Sequence, residues 1–280
     1  TTATATHNVA VGVDAGVSMT TGTSNTLIGG LAGDALTDAD LNTAVGYQAL
    51  SSDTLGSRST AMGQGSLFSQ NFTTATDTYN TAYGFHSGLS VTTGVLNTIV
   101  GGLAGDALTD ADRNVALGYG ALTTDTLGSR STALGYAALS SQNFTTATNA
   151  YNVGVGYDAG ALITTGTSNT LIGALAGDDL QGGSLNVAVG YNNSFAASTN
   201  TQVIVLGTSV TGQTNNNFTF GAGSTDSNIA FGATTITAPS DERYKESIED
   251  STAGLSFIND LRPVTYQWKK EKDIPSDHKA

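Results

Sequence analysis

The sequence contains no cysteine and is poor in proline and in charged residues. Without Cys among its 280 residues, it can form neither disulfides nor thiolate metal sites. The three prolines all lie beyond residue 238, and charged residues make up 12% of the chain, about half of their usual share in globular domains. The stability of such a chain must come from packing and from association between chains.

Positive charge and long apolar runs are also lacking. The 10 Lys and Arg residues stand against 23 Asp and Glu, which gives a net charge of -13 that repels phosphate backbones and anionic lipids. No apolar run reaches the roughly 18 residues that span a bilayer. We therefore expect neither a nucleic-acid partner nor membrane insertion. The start Thr1-Thr-Ala-Thr4 has no basic or apolar signal segment, so we expect the chain to be a piece of a longer protein.

The sequence is rich in glycine and strongly repetitive. It has 35 Gly, and a five-residue motif, Asn8-Val-Ala-Val-Gly12 in its first copy, occurs eleven times at steps of 17, 17, 17 and 21 residues. These steps form a 72-residue block that starts at residues 8, 80 and 152, and residues 31–40 return unchanged as 103–112. A period of this size is typical of repeat architectures. The later copies begin at Asn25, Asn42, Ser59, Asn80, Asn97, Asn114, Ser131, Asn152, Asn169 and Asn186.

Each position of the motif has a physical interpretation. Position 2 is always β-branched, which favours a strand, and position 5 is always Gly, which suits a positive φ or a close backbone approach. Position 4 is always large and apolar and shares a face with position 2. We therefore expect Val45, Leu117 and Val189 to be buried and the turns at Asp34 and Asp106 to be exposed. Asn or Ser at position 1 predicts a ladder of stacked side chains.

The coils predict an all-β fold built from β-solenoid or β-roll turns. Gly, Thr and Asn are poor helix formers, and stacked strands add about 4.8 Å per coil, so eleven coils form a rod of roughly 50 Å. A second short strand is predicted at the small residues three positions after the motif glycine, such as Ala15 and Ala32. We assign residues 1–200 to the repeat shaft and 201–239 to a tapering β neck. One coil encloses little apolar volume, so we expect chains to associate side by side.

The motif resembles the repeats of two families of fibrous proteins. Head domains of trimeric autotransporter adhesins and repeat regions of phage tail fibres carry a similar Asn/Ser, apolar, Ala, apolar, Gly pattern. This resemblance, rather than the spacing, implies a homotrimer. We expect it to resist SDS or heat and to contain almost no helix before residue 239.

The composition changes abruptly after residue 238. Trp268, all three prolines and seven of the ten basic residues lie there. The run Ser240-Asp-Glu-Arg-Tyr-Lys245, together with residues 254–268, closely resembles the start of the endosialidase-type intramolecular chaperone, which ends many phage tail fibres and spikes. The resemblance implies that residues 240–280 are the first part of this domain, a short α+β segment.

The same resemblance implies a single self-cleavage rather than a turnover enzyme. Chaperones of this family assemble the trimer and then cut themselves off, which assigns Ser240 as nucleophile, Lys245 as its activating amine and Pro239–Ser240 as the bond broken. A Lys with a lowered pKa can take a proton from a Ser hydroxyl. Only 41 residues follow Pro239, fewer than the family domain has, so we expect this chain to remain uncut.

Two further features indicate weaker sites. Clustered carboxylates suit calcium, but their period differs from that of calcium-binding repeats, so we favour solvated turns and predict no metal and no cofactor. These carboxylates are Asp34, Asp38, Asp40, Asp106, Asp110 and Asp112. The 21-residue coils carry Phe72, Tyr79, Phe144 and Tyr151 in predicted loops that could contact a cell-surface sugar. The alternative is that these rings cover a corner or fill a trimer seam.

Together these features predict a structural and adhesive fibre. We expect a tail-fibre or spike protein at the virion tail or an extracellular surface, with other tail proteins and a glycan or protein receptor as partners. One alternative is a bacterial trimeric surface adhesin, which a downstream membrane anchor would favour. The other is a polysaccharide-degrading enzyme on a β-helical shaft, which would need paired carboxylates in a groove.

Overall fold

The computed structural model describes residues 6–223 and 226–233. The chain divides into two compact units, Thr1–Pro239 and Ser240–Ala280, and the second, with the predicted α+β segment, lies outside the described residues. The described part of the first unit consists of strands and turns, without a helix. None of its segments is therefore a helix that could cross a membrane.

Twenty short strands follow one another along the chain. They are β1 (Val9–Val11), β2 (Thr26–Ile28), β3 (Thr43–Val45), β4 (Gly56–Ser57), β5 (Thr60–Met62), β6 (Thr76–Asp77), β7 (Thr81–Tyr83), β8 (Thr98–Val100), β9 (Val115–Leu117), β10 (Gly128–Ser129), β11 (Thr132–Leu134), β12 (Thr148–Asn149), β13 (Val153–Val155), β14 (Thr170–Ile172), β15 (Val187–Val189), β16 (Ser194–Phe195), β17 (Val203–Thr208), β18 (Thr211–Gly212), β19 (Asn217–Ala222) and β20 (Ser227–Ala230).

One fourteen-stranded sheet runs along the whole stack. Its order is β1-β2-β3-β5-β7-β8-β9-β11-β13-β14-β15-β17-β19-β20, and equal motif positions face each other, as Ala44 faces Ala61. All pairs are parallel except β19 with β20, which is antiparallel. Each parallel strand of this sheet belongs to one solenoid turn, so the chain forms about thirteen turns. This confirms the predicted all-β solenoid. Strands β17 and β19 add two turns to the eleven motif copies.

The motif glycine combines both properties that the sequence suggested. Gly118 has a φ of 140°, in a region that side chains disfavour. A Cβ built on it would overlap the carbonyl oxygen of Gly135 in the next turn. The glycine therefore permits the bend after each strand and the close stacking of successive turns.

The predicted ladder at motif position 1 is present and buried. The backbone N of Asn42 donates to Oδ1 of Asn25 at 2.9 Å, and Oδ1 of Asn42 accepts from the backbone N of Ser59 at 2.8 Å. Nδ2 of Asn42 donates to the carbonyl of Gly56. Because the side chain is only 1% exposed, these bonds satisfy groups that water cannot reach.

The solenoid core is built from position 3 of the motif, so the expectation that position 4 is buried is wrong for the single chain. Ala116 is 0% exposed, whereas Leu117 is 43% exposed, and Val45 and Val189 are half-buried. The interior between the strand and the turns is narrow, and the small side chain faces it. Where position 3 is alanine, the larger residue at position 4 points outward.

Two neighbouring turns fill the same part of the core from different positions of the coil. The turn with Leu27 at position 3 has Gly33 directly after Ala32. A Cβ on Gly33 would lie 2.9 Å from the Leu27 side chain. The next turn has Ala44 at position 3 and fills the same space with Leu50, which is 0% exposed. This complementarity maintains the close packing that stabilises protein interiors.

The predicted second strand near Ala15 and Ala32 is wrong. These residues lie in turns, and Leu31 and Leu50 have φ of 57° and 55°. A left-handed residue at such a site bends the backbone, so a strand cannot continue through it. The additional two-residue strands, such as β4 and β6, lie elsewhere in the coil and pair with each other.

Candidate functional site

The outward face of the large sheet carries a large apolar residue at motif position 4 of every motif turn, next to Thr or Val at position 2. We call the side chains at motif positions 2 and 4 the outer sheet face. Val45, Met62 and Tyr83 on this face line a cavity of about 270 Å³. Soluble monomers rarely expose apolar patches larger than a few hundred Å², so this face is a candidate interaction surface. Its most exposed position-4 members, between 39% and 58% exposed, are Val11, Ile28, Tyr83, Leu117, Leu134 and Ile172.

A row of tyrosines borders this face. Tyr119, Tyr136 and Tyr157 each follow a motif glycine, and their ring centroids are 5.7 and 5.3 Å apart in stacked geometry. Each ring is about half exposed. Hydrogen bonding to Asp158 and the negative charge of this residue raise the pKa of Tyr157. The stack widens the apolar surface over three turns.

The long coils place their four aromatic rings in two environments. Phe72 and Phe144 are 7% and 6% exposed and pack into the solenoid, whereas Tyr79 and Tyr151 are 51% and 52% exposed. The two phenylalanines are therefore buried within the coil, and a contact of any of these rings with a sugar stays a prediction. Only the two tyrosines remain accessible to a ligand.

A buried glutamine continues the side-chain ladder where the motif carries Ser instead of Asn. Ser59 is too short to bond the next turn as Asn does. Nε2 of Gln70 donates to Ser59 Oγ at 2.8 Å, and Gln70 Oε1 accepts from Asn80 Nδ2 at 2.9 Å. Gln142 does the same beside Ser131 and Asn152.

The same network fixes the start of each long loop. Oδ1 of the buried Asp53 accepts from the backbone N of Gly56 and of Phe72, and its Oδ2 accepts from Gln70 at 2.6 Å. Asp125 repeats these bonds in the second block. Sequence reasoning missed this network, although Ser at position 1 followed eleven residues later by Gln was a visible signal.

Replacing Gln70 with alanine is expected to destabilise the solenoid by about 1–3 kcal/mol, because it leaves buried polar groups of Asp53 and Asn80 without this partner. The measurement is thermal unfolding followed by circular dichroism. Gln64→Ala is the matched control, since Gln64 is exposed and its loss should leave the melting temperature unchanged. Equal melting temperatures for the two variants would contradict the proposed role of the network.

The two long coils differ in the charge around their arginines. Nε of Arg58 pairs with Asp77 Oδ1 at 2.9 Å, and this hydrogen bond and charge raise the pKa of Arg58. In the second block, Nε of Arg130 donates to the neutral Asn149 at 2.8 Å. Each guanidinium lies 5.8 Å from the centroid of the exposed tyrosine of its coil. Asn149 leaves the positive charge of Arg130 without the carboxylate that Arg58 has.

A polar cleft of about 320 Å³ opens beside Arg130. Arg113 also lines it, and Nη1 of Arg113 lies 3.4 Å from Asp112 Oδ2. The cleft therefore presents two guanidinium groups to solvent. Its lining residues are Asp110, Asp112, Arg113, Ser129, Arg130, Ala147, Thr148 and Asn149.

The acidic turns use their carboxylates to connect neighbouring coils. Ser51 donates to Asp34 at 2.6 Å, and Thr123 donates to Asp106 at 2.5 Å. Asp34 and Asp106 are half-buried rather than exposed. Asp38, Asp40, Asp110 and Asp112 accept equivalent bonds from the preceding coil. Within the described residues, no group of three or more His, Cys, Asp or Glu could hold a metal ion.

The predicted cleavage residues Pro239, Ser240 and Lys245 lie outside the described residues. Their assignment stays a prediction.

Comparison with known proteins identifies the C-terminal segment. Residues 240–280 match the family described as chaperone of endosialidase. No curated protein matches the chain, and no solved structure does. A chaperone domain of this type is characteristic of phage tail proteins. The match and the β-solenoid together fit a tail-fibre protein with a C-terminal chaperone of endosialidase domain.

Proposed function

We propose that the chain forms the shaft of a homotrimeric tail fibre or spike that attaches a virion to its host. The observation that carries this proposal is the outer sheet face. Thirteen turns at about 4.8 Å each make this apolar face about 60 Å long, and it recurs at the same place in every turn. A surface of this kind favours association.

The partners that fit this face best are two further copies of the same chain. Copies arranged in parallel about a three-fold axis place equal motif positions of each chain at the same height, so that apolar side chains meet along the whole axis. The acidic turns are hydrogen-bonded within each chain and do not need partners. The number three comes from the resemblance to trimeric fibres.

Light scattering tests this assembly. The expected particle mass in native buffer is about three times the chain mass of 28.3 kDa. A monomer at micromolar concentration would overturn the proposal. Attachment is tested by incubating the fluorescently labelled trimer with a panel of bacterial strains. Saturable binding to at least one strain, displaced by unlabelled protein, is expected, and binding to none would contradict attachment.

The C-terminal segment supplies assembly and maturation in this proposal. A chaperone of endosialidase domain that holds three chains together would start the stacking of their solenoids in register. After assembly, cleavage of Pro239–Ser240 would release the shaft from the chaperone.

Ser240→Ala and Lys245→Ala are each expected to block this cleavage in the product of a complete gene. The first removes the attacking oxygen, and the second removes the group that accepts its proton. Intact-mass spectrometry should show a shaft ending at Pro239 for the unmodified protein and an uncut chain for both variants. Trimer formation should survive in both. Cleavage at another bond, or undiminished cleavage in the variants, would rule out the assignment.

A further inference from the structure

The cleft beside Arg130 has two arginines only in the second block of the described solenoid. A shift of 72 residues relates Arg113 to Leu41 and Asn149 to Asp77, while Arg130 matches Arg58. The second cleft is therefore two charge units more positive than its counterpart in the first block. The third block carries no charge at the positions of Arg113 and Arg130, where Leu185 and Gln202 stand.

The two guanidinium groups are suited to a carboxylate. Nε of Arg130 donates to the neutral side-chain amide of Asn149. The two terminal nitrogens of the guanidinium group can therefore donate to a planar anion. Arg113 contacts Asp112 at 3.4 Å, which is long for a charge-assisted hydrogen bond. Oδ1 of Asp112 already accepts from the backbone N of Val95 at 2.8 Å, so this carboxylate is held by the turn rather than by the arginine.

The remaining groups of the cleft favour a ligand that also carries hydroxyls. Asp110 and Asp112 oppose the binding of any anion, but sugar hydroxyls can donate to these carboxylates, which a bare phosphate without such donors cannot do. Ser129 Oγ accepts from the backbone N of Asp112 and keeps its own proton for a ligand. A volume of about 320 Å³ lies at the lower end of ligand sites and suits roughly one or two sugar units.

We propose that this cleft binds a carboxylate-bearing sugar of a cell-surface polysaccharide through Arg113 and Arg130. The proposal rests on the attachment function above and names the class of receptor. One such site is expected per chain, because in the first block the corresponding arginine, Arg58, is already paired with Asp77. Binding should weaken as salt rises, since an exposed ion pair is screened.

The experiment is binding of the 280-residue protein to an array of carboxylated, sulfated and neutral oligosaccharides, followed by titration calorimetry with the best carboxylated member. Arg130→Ala should weaken binding about tenfold or more, the order expected for a lost charge-assisted bond. Asn149→Asp should also weaken it, because it restores the carboxylate partner found in the first block. Arg58→Ala is the matched control and should bind with unchanged affinity.

A reciprocal variant tests the role of the two differing positions. The double variant L41R with D77N should give the first block the same cleft and raise the stoichiometry from one to two sugars per chain. Binding of no carboxylated oligosaccharide, or equal losses for Arg58→Ala and Arg130→Ala, would overturn the proposal. Preference for sulfated over carboxylated members would overturn it as well.

Cell binding separates this proposal from the attachment function. A protein that binds bacterial cells equally well with and without Arg130→Ala attaches through another surface, which refutes the cleft but keeps the attachment function. A protein that binds the carboxylated sugar but no cell keeps the cleft and refutes attachment.

Discussion

Gly118→Val is expected to prevent the solenoid from stacking at its seventh turn and to abolish soluble folded protein. The φ of 140° at this residue costs a side chain roughly 1–3 kcal/mol. The added atoms would also overlap the carbonyl of Gly135, which belongs to the backbone of the next turn and cannot move aside. Soluble yield and the melting temperature of any recovered protein measure the effect.

Gly182→Ala provides the control for this prediction. A Cβ at Gly182 would meet only the side chains of Thr165 and Thr199, at 3.8 and 4.0 Å. This glycine lies in an exposed turn, so the substitution should leave yield and melting temperature unchanged. If both substitutions were tolerated equally, the close approach of successive glycines would not be required for the fold.

Leu117→Asp is expected to abolish the trimer while the single chain still folds. Leu117 lies on the outer sheet face and is 43% exposed in one chain, so an aspartate there is solvated in the monomer. In the proposed trimer, three such carboxylates would be buried near one another, at a cost of several kcal/mol per unpaired ion. Light scattering should show a monomer, and circular dichroism should show an unchanged β spectrum.

Asp106→Asn is the control, because its amide oxygen can still accept the hydrogen bond from Thr123. It should remain trimeric with nearly unchanged stability. A trimeric Leu117→Asp variant would exclude this part of the outer sheet face from the interface. An unfolded variant would show that Leu117 contributes to the core rather than to assembly.

The sequence predicted the repeat, the β-solenoid and the roles of positions 1 and 5, because each depends on the local chemistry of Asn and Gly. It did not predict which strand face points inward. Alternation places the side chains of Ala116 and Leu117 on opposite faces of the strand but does not say which face is buried. The larger size of Leu117 suggested that its face is buried, which was wrong for the single chain. The narrow interior decides this direction, and turn residues such as Leu50 fill it. The prediction of a second strand was wrong for a similar reason. Residues with a left-handed backbone conformation, such as Leu31, carry no sequence signal as clear as glycine.

The site was predicted less completely than the fold. Tyr79 and Tyr151 lie in the long coils that the repeat pattern indicates, and both rings are exposed, while their role in ligand binding stays a prediction. The bond between Arg130 and Asn149 joins residues 19 apart in the chain, and the bond between Gln70 and Asp53 joins residues 17 apart. Such pairs come together only when one turn lies on the next. Their geometry depends on the register of the stack, which a motif alone does not give.

The direction of the hydrogen bonds has a mechanical consequence. Strands in the fourteen-stranded sheet lie across the axis of the stack, and the bonds between turns, such as that from Asn42 N to Asn25 Oδ1, run along it. A pull along the axis therefore loads the junctions between successive turns in series, and the weakest junction opens first. Each of the motif turns that opens releases 17 or 21 residues, up to about 60 or 70 Å of slack. The rod can thus yield stepwise under tension and absorb work before the chain itself is stretched.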